Sequence, residues 1–317
     1  MPSSSVDTSI YPHATGAAAR LAEEHKSDHP LRLYGGWFCP FVQRAWIVLV
    51  EKGIPHQYVE INPYDKDPSF LALNPRGLVP TLAVPAPPHS ASQQQPKQGR
   101  PLRPLYESTV ICEYLEEAYR DRGPRLLPPF SDDEYGDLDP ATAAAATAYE
   151  RARCRLWIDH VGTRIVPAFY RLLQHTPDTT TYTIDEARAQ LHAHLKAFAQ
   201  EMLRLDDERG LSSTGPWFLG DRFSLVDVVL APWAKRLFLI DHYKPGGVGI
   251  PAVGQRGDND ERVWARWEKW FDAIVERESV RRTWSDDDKY VDVYKRYAEN
   301  TTQSEVGKAT REGGKLP

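Results

Sequence analysis

Apolar and polar positions alternate over Leu31-Arg32-Leu33-Tyr34, the period of a half-buried strand. Past the Gly35-Gly36 turn the period changes. Val42, Ala45, Trp46, Leu49 and Val50 fall at i, i+3, i+4, i+7 and i+8, which predicts an amphipathic helix closed by Gly53. A second strand is predicted over His56–Ile61, a short helix over Pro68–Leu73, and a third strand over Gly77–Val84. That third strand contains Pro80, which cannot donate to a ladder, so it marks an edge, a bulge or a cis peptide. Val110, Ile111, Tyr114, Leu115 and Ala118 then share one face of a helix starting after Glu107-Ser108. Beyond Pro140 only the helical period remains, over about 141–174, 184–209, 224–241 and 261–279. Ser224-Leu225-Val226-Asp227 reads as a capping box, with Phe223 stapling onto Val228. Trp264, Trp267, Phe271 and Ile274 form an apolar stripe, read as packed core.

The pattern therefore divides the chain. Residues 30–125 form an α/β domain and residues 141–285 an all-α domain, joined by a Pro- and Asp-rich linker over 126–140. The Pro- and Gln-rich stretch 85–104 has no period and reads as a loop insertion in the first domain. Residues 1–29 are expected to be a flexible N-terminal extension. Residues 286–317 are expected to be a polar C-terminal tail with at most one helix, around Tyr290–Tyr297.

Composition narrows the function classes. Of 317 residues, 41% are hydrophobic and 26% charged, as in an ordinary globular protein. A net charge of −5 argues against nucleic acid as a partner. The longest apolar run, Ala45–Val50, is too short to cross a bilayer, and residues 1–29 carry no apolar signal core, so no stable membrane insertion is expected. Three cysteines give no disulfide framework, which points to a reducing, cytoplasmic setting.

One of those cysteines is placed for chemistry. Cys39 lies in Trp37-Phe38-Cys39-Pro40-Phe41, between the first strand and the first periodic helix. Pro40 suits the first helical position, which makes Cys39 the N-cap, with the N–H groups of Phe41 and Val42 expected to face its sulfur. Such donors and the positive helix end favour thiolate. A buried, inert cysteine is the alternative. Val42 stands where a Cys-x-x-Cys motif would carry its second thiol, so turnover needs an external thiol.

Four segments together resemble the cytosolic glutathione transferases, most of all their omega, cysteine-type class: Phe38-Cys39-Pro40-Phe41; Asn74-Pro75-Arg76-Gly77-Leu78-Val79-Pro80-Thr81-Leu82; Glu107-Ser108-Thr109-Val110-Ile111; and Phe218-Leu219-Gly220-Asp221 with Ser224–Asp227. The resemblance spans about residues 30–285. It implies a thioredoxin-like N-terminal domain followed by a C-terminal helical-bundle domain. It also implies glutathione as co-substrate, a small electrophilic or disulfide second substrate, no metal, and a homodimer. Carried over residue by residue, it makes Cys39 the nucleophile that forms a mixed disulfide with glutathione. Phe41 and Val79 join the glutathione site, the latter through its backbone beside a cis-Pro80. Glu107 is implied for the α-amino group, Ser108 for the α-carboxylate at a helix N-terminus, and Lys66 for the glycyl carboxylate. Trp37 and Trp233 are implied for the second-substrate pocket; packed core is the competing role for Trp233. The activities implied are thiol transfer, dehydroascorbate reduction and reduction of glutathionyl ketones, with poor conjugation.

Arg151, Arg153 and Arg155 flank Cys154, either as a solvated face or as an attractor for an anionic substrate. Two other readings compete. Intracellular chloride channel proteins resemble the Cys39-Pro40-Phe41 motif followed by Gln43-Arg44, but Arg44, Glu51 and Lys52 charge the segment that would insert. A non-catalytic binding module on the same fold is the third reading.

Overall fold

The computed structural model describes residues 10–86, 101–131, 134–178, 180–208 and 215–314. Two compact units emerge. One holds the described residues up to Gly123 together with Arg281–Lys289; the other holds Pro124–Val280 and Tyr290 onward.

The first unit is built on a four-stranded sheet, β1 (Arg32–Gly35), β2 (Gln57–Glu60), β3 (Thr81–Pro85) and β4 (Leu102–Leu105), in the order β2-β1-β3-β4. β1 runs parallel to β2, through the crossover helix α2 described below, and antiparallel to β3, which pairs antiparallel with β4. In register, Leu33 faces Tyr58 on one side and Leu82 on the other. This is the thioredoxin-like arrangement expected. Its helices are α1 (Gly16–Glu24), α2 (Pro40–Glu51), α3 (Pro68–Leu73) and α4 (Ser108–Ala118). Of the predicted stripe of α2, Val42, Ala45, Trp46 and Leu49 are buried and Val50 is partly exposed, and Trp46 stacks on Tyr58 of β2 with ring centroids 4.1 Å apart.

Three expectations for this unit change. The predicted third strand starts only at Thr81, after Pro80. The supposed insertion over 85–104 is narrower, because Pro85 pairs with Leu102 and Ala83 with Pro104; residues 87–100 lie outside the described residues. β4 is an edge strand, where a proline removes no needed donor. The supposed flexible extension is anchored through Ala14 and α1, while residues 1–9 lie outside the described residues. Ala14, Ala18 and Leu21 are buried, Ala14 N donates to Glu60 at 2.7 Å, and Ala18 N donates to Trp284 O at 3.1 Å.

This unit also carries an acid-sensitive contact. His56 is buried, stacks on His25 at 4.0 Å, and its Nδ1 lies 2.8 Å from Ile54 O. With the proton on Nδ1, Nε2 has no partner among the described residues. Burial lowers the His56 pKa from 6.5 to about 4, helped by His25 and His29 and opposed by the Ile54 bond. The unfolded chain therefore takes up this proton first, and stability is lost as pH falls from 6.5 toward about 4. The expected slope is at most about 1.4 kcal/mol per pH unit. Asparagine can reproduce the bond to Ile54 without titrating, so His56→Asn should show a smaller drop in Tm between pH 7 and pH 5. Equal drops in both proteins would remove His56 from the acid response.

The second unit is helical. α5 (Pro140–His160) continues through a π-helical turn, Val161–Ile165, into α6 (Val166–Leu173), and α7 (Ile184–Glu208), α8 (Leu225–Lys235), α9 (Leu237–Tyr243) and α10 (Asp258–Glu276) follow. The predicted 224–241 helix is thus two helices, parted at Arg236, whose guanidinium bonds back to Pro232 O at 2.7 Å. The Ser224–Asp227 capping box is present. The presumed linker is partly core, since Leu126 and Leu127 are buried. After α11 (Glu278–Arg282), the presumed polar tail forms α12 (Asp287–Ala298) and α13 (Glu305–Glu312). Tyr290, Val293, Tyr294 and Tyr297 bury the i, i+3, i+4, i+7 face of α12. Among the described residues, no helix is long and apolar enough to cross a membrane.

Candidate active site

Cys39 is set by the close approach of β1 and α2. A Cβ on Gly35 would lie 2.3 Å from Val42 Cγ1, so only glycine lets the strand end pass the first helical turn. Cys39 N then donates to Gly36 O at 3.0 Å, and Cys39 O accepts from Gln43 N at 3.1 Å. Cys39 is the N-cap of α2 with Pro40 behind it, as expected, and it is half-buried. Its sulfur, however, makes no capping bond to the first helical N–H groups. It lies 4.0 Å from Val79 O instead. The expectation that Phe41 and Val42 N–H face the sulfur is corrected accordingly.

The loop carrying Val79 is fixed from within. Asn74 Nδ2 donates to Leu78 O at 3.2 Å and to Thr81 Oγ1 at 2.9 Å, and Thr81 Oγ1 donates to Leu78 O at 2.8 Å. The Val79–Pro80 peptide is cis. Among the described residues, the Val79 N–H has no protein acceptor. A backbone donor and acceptor thus flank the thiol at a position outside any strand. Lys66 lies over the same loop: a Cβ on Gly77, whose φ is +64°, would meet Lys66 Nζ at 3.1 Å. Lys66 is half-buried, and its ammonium has no hydrogen-bond or ion-pair partner among the described residues. Phe41, one turn before Arg44, packs under that guanidinium at 5.4 Å.

At α4 the structure places Glu107 as N-cap with φ 67°, a left-handed conformation costing about 1–3 kcal/mol for a non-glycine residue. Ser108 is the first helical residue and is buried. Its Oγ accepts from Arg44 Nη1 at 3.2 Å, and its own O–H has no protein acceptor among the described residues. Glu107 pairs with Arg76 at 3.0 Å. Arg44, Asn74 and Arg76 lie within the motifs quoted above, but sequence reasoning gave none of them a role in the site. Arg44 and Arg76 act across 64 and 31 residues of chain, which no local pattern reports, whereas Asn74 acts within its own loop.

The two residues expected to line the second-substrate pocket are buried. Trp37 is 3% exposed, with Nε1 donating to Tyr11 O at 2.8 Å, and Trp233 is 1% exposed. Both are core side chains. Cys154 is fully buried, and its neighbours are structural: Arg151 donates to Pro128 O at 2.6 Å, and Arg153 bridges Glu150, Glu201 and Glu208. Cys112 is buried too, and that burial pushes its thiol up to about 12. Of the three free cysteines, Cys39 alone is partly exposed. Among the described residues, no group of three or more His, Cys, Asp or Glu side chains is arranged to hold a metal ion.

A half-exposed thiol at a helix start beside a cis-proline loop, on a thioredoxin-like unit with a helical unit after it, defines a class. Residues 38–118 match the family model of the glutathione S-transferase N-terminal domain, and residues 181–273 match that of its C-terminal domain. The chain belongs to the glutathione S-transferase family. Glutathione S-transferase omega-1 of Sus scrofa is 30% identical over 207 residues, covering 65% of this chain and 67% of that one. The crystal structure of glutathione transferase Omega 3C from Trametes versicolor superposes with a TM-score of 0.67 at 36% identity, covering 92% of this chain and all of that one. Rice GST1, solved in complex with glutathione, shares the fold at a TM-score of 0.60 and 24% identity, over 86% of this chain and all of that one.

Proposed function

We propose that this transferase is an omega-type, glutathione-dependent thioltransferase in which Cys39 carries glutathione as a mixed disulfide. The observation that carries the reading is the convergence of one accessible thiol with an unpaired backbone donor at Val79. Glutathione's cysteinyl unit can pair with Val79 as an added strand would, which sets its sulfur beside Cys39. The reaction balances as two exchanges. The Cys39 thiolate attacks the glutathionyl sulfur of a mixed disulfide, and the partner thiol leaves. The thiolate of a second glutathione then attacks the Cys39–glutathione bond, giving oxidised glutathione and regenerating Cys39.

The remaining residues hold the tripeptide. Lys66, half-buried and unpaired, offers an ammonium to the glycyl carboxylate. Glu107 takes the α-amino group, and the Ser108 hydroxyl with the α4 N-terminus takes the α-carboxylate. Phe41 shields the thiol side of the site. Dehydroascorbate and glutathionyl ketones are the further substrates of the same chemistry. Three cysteines outside any disulfide support a reducing, cytoplasmic setting, and a homodimer completes the reading.

Intact-mass analysis after mixing with oxidised glutathione tests it. One glutathione adduct per chain, mapped to Cys39, is expected. No adduct, or an adduct on Cys112 or Cys154, would refute the assignment.

A further inference from the structure

Glu107 does not stand alone at the proposed γ-glutamyl position. Arg76 Nη1 lies 3.0 Å from Glu107 Oε1, and the two side chains are 50% and 44% exposed. The guanidinium rests 5.0 Å over the ring of Tyr106. Arg76 N donates to Asn74 Oδ1 at 3.2 Å, so the loop that presents Val79 also sets Arg76. Glu107 is fixed from the other side by its φ of 67° at the start of α4. A guanidinium has five N–H donors in a planar fork, and the contact with Glu107 uses one of them. The rest of the fork stays available on a half-exposed side chain.

The pair matches an amino-acid zwitterion. A free α-amino acid end carries an ammonium and a carboxylate on one carbon. Glu107 offers the acceptor for the ammonium. Arg76 offers the fork geometry that a carboxylate fits. The adjacent buried hydroxyl of Ser108, backed by the Arg44 guanidinium, supplies a further donor on the same helix start. We infer that Arg76 is a specificity-determining residue: with Glu107 it forms a preformed ion pair that reads the α-carboxylate of the ligand's γ-glutamyl end. The inference rests on the glutathione reading above and extends it to a residue outside that set. The opposing possibility is that Arg76 only neutralises Glu107 and competes with the ligand's ammonium.

The test is calorimetry on the full-length chain under reducing conditions, with three ligands. These are glutathione, its α-carboxamide, and the glutaryl analogue that lacks the α-amino group. Arg76→Gln should weaken glutathione about tenfold, the size of one charge-assisted hydrogen bond, and leave the α-carboxamide unchanged. Glu107→Gln should weaken glutathione and spare the glutaryl analogue. Circular dichroism confirms that both variants fold. Unchanged or tighter glutathione binding by Arg76→Gln overturns the inference, and so does an equal loss for glutathione and its α-carboxamide. If the parent protein binds no glutathione, and Cys39 takes no adduct from oxidised glutathione, the underlying reading fails as well. An adduct on Cys39 with no effect of Arg76→Gln removes Arg76 alone.

Discussion

Cys39→Ser is expected to reduce thiol transfer to the uncatalysed level while leaving Tm close to that of the parent. The sulfur is the only group at this position that can form and release a mixed disulfide, and a serine alcohol is a poor nucleophile at neutral pH. The other two cysteines cannot stand in. Cys112 and Cys154 are 1% and 0% exposed, and the Cys112 thiol is pushed up to about 12, so neither offers a thiolate to a disulfide. The fold has no reason to suffer. Serine is a favoured N-cap, and the sulfur it replaces makes no capping bond to α2. Reduction of hydroxyethyl disulfide, measured beside a thermal melt, decides the matter. Turnover retained by a folded variant would place the chemistry elsewhere.

Much of the site was written in local sequence, and the parts that were not share a cause. The turn from a period of two at Leu31–Tyr34 to a helical period at Val42–Val50 located Cys39 at a helix start, because strand and helix each bury one face and the residues record which. Pro40 and the Ser224–Asp227 box are read in the same way, from chemistry within one turn. The N-terminal segment was misread because its buried set, Ala14, Ala18 and Leu21, is too sparse and too small to stand out among charged neighbours. Its anchors are Glu60 and Trp284, 46 and 266 positions away from Ala14 and Ala18. The helix expected around Tyr290–Tyr297 is present as α12; what went unread is its burial, because its apolar face is made of tyrosines and one valine with charged residues between them. Trp37, given a pocket role by the resemblance alone, has its indole N–H bonded to Tyr11 O and is 3% exposed, an anchor far from it in sequence that no local pattern reports. Arg76 and Arg44 were missed because their meaning lies in Glu107 and Ser108, on another element.

The helical unit should depend on one carboxylate more than on any single apolar side chain at its surface. Asp227 is fully buried. Its Oδ1 accepts from Phe218 N at 2.8 Å and from Trp270 Nε1 at 2.7 Å, and its Oδ2 accepts from Ser224 N and Ser224 Oγ, each at 2.8 Å. One side chain thus ties the 217–222 turn, the start of α8 and the middle of α10. Alanine would leave two backbone N–H groups and an indole N–H without their acceptor in a closed core. Each unsatisfied donor costs about 1–3 kcal/mol, and the effects overlap, so a total on the order of 4 kcal/mol is expected for Asp227→Ala. In a unit of this size that lowers Tm by roughly 10 °C. Asp227→Asn keeps the volume and one acceptor oxygen while setting an NH₂ against existing donors, so its loss should also be clear. Urea unfolding followed by tryptophan fluorescence reads both variants. A Cm for Asp227→Ala within error of the parent, at the same m-value, would mean that water or a repacked neighbour satisfies those donors and that the carboxylate does not hold the unit together.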